Sequence, residues 1–317
     1  MIRILIPLDG SLAAEASLSH AIAIAKAFPA ELTLLRVIAE PATGSVVRTD
    51  SVYFALWRQQ AQSYLDGLVD RHAIQDLSID CKVAEGRPAE TILQFIGSSK
   101  PDLVILTRFG HGNAQNFATG GTAQKIVSSV DCSVLLLDPG RPTDPKQRYR
   151  RILVPIDDTR DADCAVAIAT MIAEVHNASL LLLHVIDEPR LPSSLPASRR
   201  ARDLVGEMHR LVRAEAEQRL RQLAAQIPSH ISVERRVLVS TDTSLAIEST
   251  ADDDDCSLLL LHAPGSEPEQ SSRYDPVSQS LILYSHLPLF ILRSPASEHL
   301  ASNFRSVYLD QPSYRAS

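Results

Sequence analysis

The chain has four cysteines in 317 residues, and Cys81, Cys132, Cys164 and Cys256 stand too far apart to form a CxxC pair. That spacing excludes a zinc ribbon or a vicinal redox pair and reads as four reduced, mostly buried thiols. The ten histidines are equally scattered, with no HExxH and no His/Cys cluster, so no metal site built from protein ligands alone is expected. His184, alone in an apolar strand-like run, reads as a packed residue. No apolar run approaches the roughly 18 residues of a membrane span, which excludes a membrane protein. A formal charge of −7 leaves no basic stripe to neutralise phosphates, which excludes specific nucleic-acid binding. The opening MIRILIPLDGS lacks the basic start, long apolar core and small-residue cleavage site of a secretory signal, and points to the cytoplasm. The densest charge run, Asp252 to Asp255, precedes SLLLL. It reads as a solvated turn between helix and strand, without the spaced acids and glycine of a calcium loop.

What is present is a repeat. RILIPLDGS, Arg3 to Ser11, returns as RILVPIDDT, Arg151 to Thr159, a spacing of 148 residues. An alanine-rich amphipathic stretch follows in each copy (Ala13 to Phe28; Asp161 to His176), then a second apolar run, LTLLRVI or SLLLLHVID. Next come a Pro-containing loop and a long helix with apolar residues at helical spacing, such as Leu65 and Leu68, or Leu220 and Leu223. Third strands, third helices, fourth strands and a closing fifth strand, SVLLLD or LFILRS, complete each half. Nearly unbroken apolar strands alternating with helices imply parallel sheets buried on both faces and joined by right-handed crossovers. The expected fold class is α/β, with two doubly wound, five-stranded, Rossmann-like parallel-sheet domains in tandem over residues 1–138 and 151–293. Asp138 to Arg150, with three prolines and four basic residues, reads as the linker.

Glycine is scarce, twelve residues in all, yet four of them fall between Gly110 and Gly121, directly after the fourth strand of the first half. In an open parallel sheet, ligands bind beyond the carboxyl ends of the strands where the winding reverses. Two segments of the first half meet there: Asp9, Gly10 and Ser11 after the first strand, and Thr107 to Thr122 after the fourth. Glycines let backbone N–H groups approach a phosphate, and a helix starting near Gly121 would aim its N-terminal amides and positive dipole end at the same anion. Asp9 is placed for a ribose hydroxyl or an adenine edge; Arg108 and His111 read either as added positive charge or as solvated loop side chains. The loop is neither a Walker loop, since GKS and GKT are absent, nor a dinucleotide fingerprint, since Gln115 stands where glycine is needed. With no GxSxG elbow either, nothing in the sequence is built to break a bond.

On these residues the chain resembles a tandem universal stress protein over about residues 1 to 293. Nucleotide-binding members of that family have a PxDGS-like opening turn and a phosphate loop of pattern G-x2-G-x9-G-[ST], with the adenine nucleotide held between them and the end of the second strand. Pro7, Asp9, Gly10 and Ser11 match the turn, Val37 the second-strand position, and Gly110 and Gly120 the second and third loop glycines. Thr107 replaces the first glycine, and Gly121 replaces the Ser/Thr, with Thr122 one place later. Losing that hydroxyl removes a hydrogen bond worth about 1.5–3 kcal/mol unless Thr122 supplies it.

The resemblance implies a non-catalytic module that holds ATP or AMP in its first half, with magnesium or manganese carried by the phosphates. A nucleotide-free scaffold of the same family, or a slow ATP-hydrolysing enzyme, remain the alternatives. In the second half Asp157, Val185 and Gly265 match, but His262 replaces the first loop glycine and Asp275-Pro276 replaces Gly-Ser. Aspartate repels phosphate and proline removes an N–H donor, so no nucleotide is expected there. The family pairs domains through fifth strands, which implies that SVLLLD and LFILRS cover each other's edges within this chain. Dimerisation of the whole chain is left open.

Overall fold

The computed structural model describes residues 1–39, 51–72, 77–108, 121–138, 140, 147–157, 162–187, 199–263 and 274–293. The first half runs β1 (Ile2–Leu8), α1 (Leu12–Ala25), β2 (Ala30–Ile38), α2 (Ser51–Arg71), β3 (Ser78–Glu85), α3 (Pro88–Ser99), β4 (Leu103–Thr107), α4 (Gly121–Ser129) and β5 (Ser133–Leu137). The second repeats it with β6 (Arg151–Pro155), α5 (Ala162–His176), β7 (Ser179–Asp187), α6 (Arg199–Ala224), β8 (Val233–Ser240), α7 (Thr243–Asp253), β9 (Leu258–His262), α8 (Pro276–Tyr284) and β10 (Leu289–Leu292). No helix among the described residues is long and apolar enough to cross a membrane.

All ten strands form one sheet in the order β3-β2-β1-β4-β5-β10-β9-β6-β7-β8. Pairing is parallel inside each half and antiparallel at the join, where Leu289, Phe290 and Ile291 face Leu136, Leu135 and Val134. The expected fifth-strand pairing is thus what fuses the two halves. Central strands are apolar on both sides because both sides are covered. Ile4, Ile6, Leu32 and Leu34 pack with Leu18 of α1 and Leu65 of α2, in a layer that also includes α5 and α6. Leu5, Leu35, Val104 and Leu106 pack against α3 and α4, in a layer continued by α7 and α8. The outermost strands, β3 and β8, carry Asp80, Lys82, Arg235 and Arg236, and such charges blunt a sheet edge against further pairing.

Side chains lock the join on both faces. On the α1/α5 face, Tyr149 is completely buried, although it lies in the stretch whose composition reads as a linker. It shares a 2.9 Å hydrogen bond with His20 Nδ1 of α1 and meets the ring of His176 in α5 edge-on at 5.1 Å. His176 Nε2 donates in turn to the Ala23 carbonyl at 3.0 Å. On the α4/α8 face, the Tyr274 hydroxyl donates to the Val127 carbonyl of α4 at 2.9 Å. In the opposite direction the Arg108 guanidinium donates to the Leu281 and Ile282 carbonyls of α8. Each half therefore reaches across to the last turn of its neighbour's helix, where terminal carbonyls and the negative dipole end accept donors.

Candidate functional site

Strand order reverses where β1 lies between β2 and β4, and again where β6 lies between β7 and β9. Each half therefore has one crevice of the kind in which open α/β sheets bind ligands.

In the first half the crevice is floored by the turn after β1. Asp9 Oδ1 accepts from the Ser11 backbone N–H at 2.9 Å and from the Ser11 hydroxyl at 2.6 Å. Ser11 Oγ accepts from Ala14 N at 3.0 Å, making Ser11 the N-cap of α1. Gly10 takes φ +84, a left-handed value that a side chain rarely adopts. Ser11 thus serves the helix it caps, and Asp9 shapes the turn.

Arg36, near the end of β2, was not singled out by the sequence and proves central. Its Nη1 donates to the Leu8 carbonyl at 3.1 Å, and the guanidinium lies over the turn, 3.3 Å from where a Cβ on Gly10 would stand. Its Cζ sits 5.8 Å from the centre of the Tyr64 ring. Burial, followed by the Glu15 carboxylate, pushes the Tyr64 phenol well above its ordinary range. The only signal in the sequence was a cation in an otherwise apolar strand, LTLLRVI.

The other expected residues divide. Pro7 is inside β1, paired with Leu35. Val37 packs on the α3/α4 side of the sheet. Thr107 ends β4 opposite Leu137. Gly121 and Thr122 open α4, with no acidic residue in the first turn and open space around Gly121. Gly110, His111 and Gly120 lie outside the described residues. Arg108 is corrected: it is neither a phosphate ligand nor a solvated loop side chain, being 2% exposed and turned into the join. The residue succeeds Thr107 on a strand whose alternate positions face α4 and α8, and the Leu281 and Ile282 carbonyls of α8 are what it meets there. Burial lowers its pKa to about 10, so it stays charged at neutral pH. The cation at the first-half turn is Arg36.

The second-half crevice is built differently. Asp275 caps α8, its Oδ1 accepting from Val277 N at 2.9 Å and Ser278 N at 3.0 Å, while its other oxygen accepts from the Ser278 hydroxyl. The amides a phosphate would use are thus taken by a carboxylate of the same chain. Beside them opens a cavity of about 420 Å³, lined in part by Asp157, His184, Asp187, Val212 and Ile247. His184 stands 148 residues after Arg36 and repeats its bond, Nδ1–H donating at 2.8 Å to the carbonyl of Ile156, the counterpart of Leu8. A shorter donor, an imidazole, thus replaces a guanidinium at the same point of the repeat.

The profile of the universal stress protein family matches residues 1–138 and again 148–293. A universal stress protein of Methanocaldococcus jannaschii is 28% identical over 141 residues, covering 43% of this chain and 81% of that protein. A solved universal stress protein from Archaeoglobus fulgidus is similar with a TM-score of 0.60 at 17% identity, covering 92% of this chain and 98% of that one. A structure from Pseudomonas aeruginosa assigned to the same family gives 0.63 at 15% identity, covering 96% and 98%. At such identities the structural matches establish the fold.

Proposed function

Because the chain belongs to the universal stress protein family, we propose that its first half, residues 1–138, binds an adenine nucleotide, ATP or AMP, and that occupancy regulates a cytoplasmic stress response. Residues 151–293 form the companion domain. The observation that carries this reading is the electrostatic contrast between the two crevices. The first combines the Arg36 guanidinium at the β1 turn with a helix start free of acids in its first turn. The second fills its helix start with Asp275. Anions favour the former and are opposed by the latter.

Arg36, Asp9 and the turn at Gly10 would orient the nucleoside end, with Val37 beside it, and the amides from Gly121 onward would receive phosphate. Thr122 stands next to Gly121 and would supply the hydroxyl that the family places one residue earlier. Among the described residues no group of three His, Cys, Asp or Glu side chains stands together to hold a metal. A magnesium or manganese ion would therefore be carried by the phosphates. The role is binding and signalling of occupancy, not catalysis.

The test is a thermal-shift titration with ATP, ADP and AMP. Ligand at about 100 times its dissociation constant stabilises the bound form by roughly 2.7 kcal/mol, and Gly121→Asp, placed in open space, should abolish the shift without lowering the apo melting temperature. A shift unaffected by Gly121→Asp overturns this site and places the nucleotide elsewhere, and no shift with any of the three nucleotides leaves a nucleotide-free scaffold of the same family.

A further inference from the structure

We propose that the groove between α6 and β8, at the outer edge of the second half, binds a small oligophosphate, one phosphate to each of two arginines, Arg221 and Arg235. The groove shares no lining residue with the second-half crevice, and the proposal does not depend on nucleotide binding in the first half.

Side chains alternate across the sheet along β8. Val233 and Val237 pack into the core layer that holds α6, so Arg235 between them leaves the sheet on the α6 side. Arg221, in the last turn of α6 beside the buried Leu220, lines the same groove of about 320 Å³. The remaining charges there are engaged within the chain. Arg213 pairs with Glu217 at 3.2 Å, and Arg236 pairs with Glu234 and Asp254, which also hold Arg151. Both groups are neutral taken together. Among the described residues no carboxylate pairs with Arg221 or Arg235. The C-terminal end of α6 contributes about half a negative charge, too little to cancel two cations. Guanidinium forks match phosphate oxygens, and each can take two of them.

The repeat shows that the fold does not need these cations. Buried Ala61, Leu65 and Leu68 of α2 correspond to buried Ala216, Leu220 and Leu223 of α6, which sets Asp66 where α6 has Arg221. On the strands, Cys81 pairs with Leu34 as Arg235 pairs with Leu182, and Leu34 and Leu182 are counterparts 148 residues apart. The two positions face one another in the first half, since burial, followed by the Asp66 carboxylate, raises the Cys81 thiol. There Asp66 accepts from Gln62 at 2.9 Å. An aspartate and a thiol in one copy are thus two guanidiniums in the other, on the same helix-and-strand frame. Two like charges side by side cost stability, and a shared anion between them reverses that cost.

Isothermal titration calorimetry with pyrophosphate at low salt tests this on the full chain carrying Gly121→Asp, in which the first-half helix start is closed to phosphate. Pyrophosphate should bind that chain. Arg221→Gln and Arg235→Gln should each weaken binding by about tenfold or more, and Arg221→Asp, the residue of the first half, should remove it. Circular dichroism and melting temperature should stay unchanged in all three. Arg210→Gln, on the same helix outside the groove, should have no effect. ADP, with one phosphate esterified, and sulfate, with a single anionic centre, should both bind more weakly than pyrophosphate. No heat from millimolar pyrophosphate, binding that survives Arg221→Asp, or ADP or sulfate binding as tightly as pyrophosphate would each overturn the proposal.

Discussion

Two arginines are buried at the join of the halves, and their surroundings assign them opposite energetic signs. Arg108 donates to two helix-terminal carbonyls, so its desolvation is offset by charge-assisted bonds. Arg293 is 1% exposed, stacks on the Tyr274 ring at 4.5 Å, and has no hydrogen bond on any of its three guanidinium nitrogens. A cation–π contact contributes about 2 kcal/mol when desolvated, less than the several kcal/mol needed to bury an unsatisfied cation. Arg108→Met should therefore destabilise the protein by about 2–4 kcal/mol, whereas Arg293→Met should leave stability unchanged or raise it by about 1–3 kcal/mol. Urea unfolding of the two variants reads both signs directly. At the crevice, Gly10→Val should cost about 1–3 kcal/mol through backbone strain alone, because φ is +84. Arg108 was misjudged from sequence because its partners lie 173 and 174 residues away. The glycines beside it drew the reading toward phosphate. Asp275 was legible as a block to phosphate, since an aspartate repels the anion and the proline after it removes an N–H donor.

At the scale of elements, most of the architecture was legible because the repeat exposed it. A strand of unbroken apolar residues in one copy fixed the same strand in the other, and the two fifth strands could be matched as mutual edge covers. What was not legible is what holds α1 to α5, since Tyr149 sits among prolines and basic residues that read as a tether. That contact makes stability depend on pH. Burial lowers His20 to about 4, and burial also lowers His176, against the opposing effect of its bond to Ala23. His20 is neutral when folded down to about pH 4, while in the unfolded chain it titrates near its ordinary value of about 6.5; His176 is shifted in the same direction. Between those two values the unfolded state binds protons that the folded state does not, so stability falls as pH drops through that window. His20 alone should account for about 2 kcal/mol between neutrality and about pH 5. His20→Gln, which keeps a polar partner for Tyr149 but does not titrate, should flatten the difference in urea midpoint between those two pH values. An unchanged pH slope in His20→Gln would show that other groups carry it.

Over the whole molecule, the decisive feature is that two repeats share one sheet. Domains joined by a small polar interface move and unfold separately; here the contact is the centre of a ten-stranded sheet, with β5 and β10 buried along their lengths and side chains crossing on both faces. Separating the halves would expose the paired backbone of both strands and open the apolar layers above and below, so each half should be less stable while its neighbour is unfolded. The single tryptophan makes this measurable, because Trp57 lies in α2 of the first half, while far-UV circular dichroism reports all the helices. In the wild type the fluorescence and dichroism transitions in urea should coincide, as for one cooperative unit. Ile291→Asp places a charge at a completely buried position paired with Val134, and so weakens the join without touching either crevice. The two transitions should then separate, with the damaged second half unfolding at lower urea than the half reported by Trp57. If they already separate in the wild type, the continuous sheet does not couple the repeats, and a ligand in one crevice would have no rigid route through β5 and β10 to the other.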